Sequence, residues 1–170
     1  MNISDQIRQL ADAESPGFHI LARRQGDLSR PLLVVVHPGD ITETSSAPQM
    51  IAARSSRFQR QLAQTITDWP GEVAILHRFS CYEIAGRTPR TAAELCTAIE
   101  AAHHRAVVVA YGDDLPAFAT LLGERARNRP RFLITGAYRD PRHGCVDTVA
   151  DLLTRAGGRV EIDPNAYTAP

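Results

Sequence analysis

The chain contains no lysine; all nineteen of its Lys-plus-Arg residues are arginine. Schiff-base catalysis through a lysine amine and the phosphate-cradling lysine of a P-loop are therefore excluded before any fold is considered. Coding bias toward arginine and alanine is the first explanation of this absence, and selection against lysine as a modification target is the alternative. Cysteine is scarce too: Cys81, Cys96 and Cys145 are odd in number and lack paired spacing. That pattern argues against a disulfide framework or a structural zinc site and fits a reduced, cytoplasmic compartment. Aromatic residues make up 6% of the chain, and Trp69, Phe79 and Tyr82 are not grouped as a stacking platform, so binding of single-stranded nucleic acid is not expected. Neither charge sign dominates: nineteen acidic residues balance the arginines, which implies no broad footprint for nucleic acid or anionic lipid. No stretch reads as a secretory signal or a membrane span.

What is present is a regular alternation. Apolar runs rich in β-branched residues occur at 32–36 (LLVVV), 73–76 (VAIL), 106–111 (AVVVAY), 131–136 (RFLITG) and 159–162 (RVEI). Short continuous runs of this kind suit strands buried on both faces. The intervening segments 47–67, 90–103, 114–127 and 144–156 predict crossover helices. A strand–helix–strand repeat predicts an α/β fold: a three-layer, doubly wound, mainly parallel sheet of five or six strands, Rossmann-like in outline. Residues 1–30 add a helix at 4–13 and an FHILAR segment that could form an edge strand. At 170 residues the chain is the length of a single domain, and 1–170 is read as one α/β unit. Arg125, Arg127, Arg129 and Arg131 are expected at a solvated helix end and its loop.

In such sheets ligands bind beyond the carboxyl ends of the strands, where strand order reverses. The residues expected there are His37 to Asp40, then His77, Arg78, Ser80, Cys81 and Tyr82, then Tyr111 to Asp114, and finally Tyr138 to Cys145. If the order of the central strands is 3-2-1-4-5, the reversal brings the His37–Asp40 loop beside the loop that holds Cys145. Cys145 is expected in the first turn of a helix, where unsatisfied backbone N–H groups and the positive end of the helix dipole favour thiolate. Those N–H groups could also stabilise an oxyanion. Packing beneath the helix as a small buried residue is the alternative. His37 could act as a base and Asp40 could orient it, or they could be a hydrogen-bonded strand-end residue and a turn cap. Arg78 is the candidate cation; His77, Tyr138, His143 and Gly144 are candidates for substrate contact. Asp113-Asp114 reads first as a helix cap before Pro116 and only second as a metal-ligand pair. HPGD lacks phosphate-loop spacing and no dinucleotide fingerprint is present, so neither a metal nor an organic cofactor is expected.

From Leu133 to Ala166 the run LITGAYRDPRHGCVDTVADLLTRAGGRVEIDPNA resembles the corresponding part of the isochorismatase-like cysteine hydrolases. The resemblance rests on Thr135-Gly136, Cys145-Val146, Thr148, Ala150, Gly157 or Gly158, Asp163 and Ala166. LLVVVHPGD is similar to that family's opening strand, which ends in a catalytic Asp. His37 stands in the place of that Asp, with Asp40 three residues later. The family's lysine has no counterpart, and the loop between Gly136 and Cys145 is a few residues longer. The resemblance implies an isochorismatase-like sheet, a thiolate nucleophile at Cys145 acting on a small amide or related C–N or C–O substrate, and an assembly that could be homo-oligomeric. His37 or Asp40 would have to replace the base, with Arg78 as the only cation near the lysine's location. The alternative is a homologue that has lost hydrolysis and serves as a small-molecule-binding or protein-assembly subunit.

Overall fold

A computed structural model describes residues 1–27, 30–38, 48–78, 93–126, 131–137 and 139–166. The apolar runs become β2 (Leu32–Val36), β3 (Val73–His77), β4 (Ala106–Gly112), β5 (Phe132–Gly136) and β6 (Val160–Ile162), preceded by α1 (Ile3–Asp12) and β1 (Phe18–Arg23). The helices between them are α2 (Pro48–Asp68), α3 (Ala93–His103), α4 (Leu115–Ala126) and α5 (Cys145–Arg155). Every residue of β2, β3 and β4 is buried, which is why these strands read as unbroken apolar runs without alternation. The polar–apolar FHILAR segment is the exception: it forms the antiparallel edge strand β1, paired with β4.

The strands form one six-stranded sheet in the order β1-β4-β3-β2-β5-β6, and every pairing except β1–β4 is parallel. The fold is thus α/β and Rossmann-like, with the central parallel strands in the order 3-2-1-4-5. Strand periodicity divides the core into two layers. Leu32, Val34, Val36, Leu76 and Ala110 meet Phe118 and Leu122 of α4 and Val146, Val149 and Leu153 of α5. Leu33, Val35, Val73, Ile75 and Val109 on the other face meet Phe58, Leu62 and Ile66 of α2 and Leu95 and Ile99 of α3. A smaller cluster of Ile7, Ala11 and Tyr111 fixes α1 at the β4 side of the sheet.

Several ends are set by local chemistry. Asn2 caps α1 through the amide of Asp5, and the Oδ1 atom of Asp114 accepts from the amide of Ala117 at the start of α4, as expected of helix caps. At the end of α5, Gly157 takes φ +94°, while its amide donates to Thr154 and that of Gly158 donates to Leu153. These are the paired bonds of a Schellman stop, in which glycine occupies the left-handed position. The carbonyls of Ile66 in the last turn of α2 and of Trp69 and Gly71 just beyond it all accept from the guanidinium of Arg105. That long-range cap joins the end of α2 to the start of β4.

Candidate functional site

The reversal of strand order falls between β2 and β5, which pair in register from Leu32↔Phe132 to Val36↔Gly136. Helices α2 and α5, which follow these strands, lie on opposite faces of the sheet, and this reversal is where open α/β sheets characteristically bind ligands. The approach of the two strands is close: the amide of Ala137 donates to the carbonyl of Val36 at 3.0 Å. A Cβ on Gly136 would lie 1.9 Å from that same oxygen.

Cys145 is the first residue of α5. The loop that delivers it is closed by Asp140, whose carbonyl accepts from the amide of Gly144 and whose Oδ1 accepts from the amide of Arg142, both at 2.8 Å. Gly144 is the N-cap and contributes no side-chain hydrogen bond to the first turn; a glycine there leaves the cap position without a competing oxygen. The thiol is half-buried, packs against the α4–α5 core layer and is not in a disulfide. His143 is exposed in the turn just before it, whereas Gly144 is buried. Asp147, two residues after Cys145, has a buried Oδ2 without a hydrogen-bond partner among the described residues, and its Oδ1 lies 3.9 Å from the Nε of Arg139.

His37 follows the last residue of β2 and is 1% exposed, with φ +50°. A non-glycine residue in the left-handed region at a strand end is a strained conformation of the kind that clusters at functional sites. Its Nε2 lies 3.2 Å from the carbonyl oxygen of Gly112, at the end of β4. That oxygen can only accept, so Nε2 carries the hydrogen and Nδ1 is the bare nitrogen. Nδ1 is buried without a partner among the described residues. Burial pushes the His37 pKa down to about 4; the bond to Gly112 and the charge of Asp113 oppose that shift, while Arg78 adds to it. The ring is therefore neutral near pH 7. It is directed toward β4, which lies two strand spacings from β2, about 10 Å, on the side away from β5.

His77, the last residue of β3, is wholly buried, with its Nε2 3.3 Å from Nε2 of His103 in α3. Burial lowers its pKa well below the ordinary histidine value, and His103 and His37 lower it further. Arg78 pairs through Nε with Asp113 Oδ1 at 3.0 Å. The polar groups at this end of the sheet thus fall into two sets. Cys145, His143 and Gly144 stand at β5–α5; His37, His77, Arg78, Gly112 and Asp113 gather over β2–β4.

Of the residues singled out in the sequence, Asp40 and Tyr138 lie outside the described residues, as do Ser80, Cys81, Tyr82, Arg127 and Arg129. Sequence reading missed His103 and Asp147, and it placed Gly112 at this end of the sheet without its partnership with His37. His103 is 26 positions from His77 and Gly112 is 75 from His37, separations at which no local pattern signals contact. No group of three or more metal-ligating side chains occurs among the described residues, and no helix among them is long and apolar enough to cross a membrane. Comparison of the chain with protein families, curated proteins and solved structures found no match.

Proposed function

We propose that the chain is a divergent cysteine hydrolase with an isochorismatase-like sheet, acting on a small amide or related C–N or C–O substrate through Cys145. One observation carries this reading: a half-buried thiol stands at the first residue of α5, behind a glycine N-cap, in the helix that follows β5, the strand paired with β2. First-turn amides favour the thiolate and offer hydrogen bonds to a developing oxyanion. In the proposed reaction the thiol yields its proton to a base and the sulfur attacks the carbonyl carbon. Collapse of the tetrahedral intermediate breaks the C–N bond, and the nitrogen leaves with a proton. Water then cleaves the thioester to a carboxylic acid and restores the thiol. The base is His37 or Asp40, in the position where the resemblance implies an acid, and the route from His37 to the sulfur requires its ring to leave Gly112 or to act through water. The partners proposed on this reading are a small-molecule substrate, in a reducing cytoplasm, and further copies of the chain in a homo-oligomer.

The test is selective alkylation by iodoacetamide at neutral pH, followed by mass spectrometry, with a panel of small primary amides assayed for ammonia release. Fast labelling at Cys145 over Cys81 and Cys96, with ammonia release abolished by Cys145→Ser, supports the proposal. Equal, slow labelling of all three thiols overturns it.

A second reading, a homologue that binds a ligand without hydrolysing it, is favoured by a specific pair of contacts. His37 is bonded to Gly112 and Arg78 is paired with Asp113, so two groups named as helpers of Cys145 are engaged over β4.

A further inference from the structure

Between the end of α1 and the carboxyl end of β4 lies a cleft of about 540 Å³, lined by Glu14, Ser15, Arg78, Tyr111, Asp113 and Asp114 among others. A cleft of this size suits a ligand of amino-acid to drug-like dimensions. Its charge is uneven: three carboxylates and one guanidinium line it, whereas acidic and basic residues balance over the whole chain. A dianion entering the cleft meets three carboxylates, and a dication meets Arg78. A molecule with one end of each sign matches both.

Two of the contacts in the cleft are of a kind that a ligand can share or replace. Arg78 and Asp113 are paired, but their side chains are 39% and 65% exposed, and an exposed pair of this kind costs little to rearrange. A guanidinium has five N–H donors in a planar fork that fits a carboxylate. Asp114 uses Oδ1 to cap α4, and a carboxylate has capacity beyond one accepted bond. Glu14 holds φ +47°, a left-handed conformation that costs a non-glycine residue energy. Behind the wall, the His37 ring is bonded to Gly112 and lies within the fields of Arg78 and Asp113, and its buried Nδ1 has no partner among the described residues.

From this arrangement we infer that the cleft binds a small zwitterion of the α-amino-acid class, with the ligand carboxylate on Arg78 and its ammonium between Asp114 and Glu14. The site lies over β4 and nothing in it depends on the thiol chemistry of Cys145, so binding stands or falls separately from hydrolysis.

The experiment is a titration of the ¹⁵N-labelled full chain with L-lysine, putrescine and succinate, followed by NMR. L-lysine is expected to shift the amides of Gly17, Gly112 and Asp113 and the ring nitrogens of His37 in a saturable way. Putrescine and succinate should bind at least about tenfold more weakly, the effect of one lost charge-assisted hydrogen bond. Arg78→Gln should weaken L-lysine by a similar factor and bind putrescine no more weakly than before, since the like-charge repulsion is removed. Glu14→Gly, which relieves the left-handed strain while removing a carboxylate, keeps the test open if Arg78→Gln fails to fold; it should weaken L-lysine and putrescine together. The inference is overturned if L-lysine produces no saturable shifts, if putrescine or succinate binds as tightly as L-lysine, or if a folded variant binds L-lysine with unchanged affinity.

Discussion

The imidazole of His37, at the end of β2, donates through Nε2 to the carbonyl of Gly112, at the end of β4, at 3.2 Å. This bond reaches over β3, the strand between them. It fixes the tautomer of a buried ring and turns that ring away from the strand pair that presents Cys145. The contact also lies beneath the cleft that Arg78 and Asp113 line, so one histidine links the strand at the topological reversal to a second group of polar residues.

Acid should destabilise the fold through its buried histidines. The pKa of His37 is lowered from 6.5 to about 4 in the folded chain, so between those values the unfolded state binds the proton that the folded state rejects. Stability therefore falls as pH drops from about 6.5 to about 4, by on the order of 3 kcal/mol for His37 alone. Below that window this group contributes no further change. His77 and His103, lowered chiefly by burial, act in the same direction. Urea denaturation at pH 7 and pH 4.5 measures the effect, and His37→Asn, which tolerates the left-handed backbone, should flatten the acid limb.

Replacing Gly136 by Ala should be severely destabilising. The new Cβ would be placed 1.9 Å from the Val36 carbonyl in a backbone with φ +132°, so β5 cannot keep its distance from β2. A loss of about 3 kcal/mol or more follows from strain and broken pairing. Thermal unfolding by circular dichroism would show it, and an unchanged melting temperature would contradict the close approach.

Thr135→Val tests a buried pair that the resemblance had only marked as matching letters. The Thr135 hydroxyl donates to Asp163 Oδ2 at 2.9 Å, and Asp163 Oδ1 accepts from the amide of Asn165. Removing the hydroxyl leaves a buried carboxylate oxygen without that donor, at a cost of about 1–3 kcal/mol. Chemical denaturation gives the value, and the thiol reactivity of Cys145 should be retained.

Arg105→Ala should loosen the end of α2. Three carbonyls lose their shared donor, and the expected cost is about 2–4 kcal/mol, with Arg105→Lys recovering only part because an ammonium lacks the planar fork. Hydrogen exchange at the C-terminal turn of α2 and the Trp69–Glu72 turn should accelerate most.

Cys145→Ser should change stability by less than about 1.5 kcal/mol, since the side chain is half-buried and nearly isosteric. If the thiol is the proposed nucleophile, ammonia release should fall to background in the same variant, which separates chemistry from folding.

Much of the architecture is legible in the sequence. The run LLVVV predicts a strand buried on both faces, and β2 is that strand; Gly157-Gly158 predicts a helix stop, and α5 ends there in a Schellman motif. Asp113-Asp114 before Pro116 predicts a helix cap, and Asp114 caps α4. These features depend on neighbours within a few positions, where periodicity and capping chemistry act. The side-chain partnerships behaved differently. His37 and His77 could be placed at strand ends from the sequence, but the direction of each ring could not, because it is set by residues 75 and 26 positions away.

The alternation of elements, the absence of any lysine chemistry and the placement of Cys145 at a helix start all follow from composition and short-range pattern. That β1 joins β4 in antiparallel register, that Arg105 closes α2 and that His37 faces Gly112 emerge from the assembled sheet alone. The physical reason is that a strand's faces and a helix's caps are local properties of the backbone, whereas a hydrogen bond across a sheet exists only once the strand order has brought its two ends within about 3 Å.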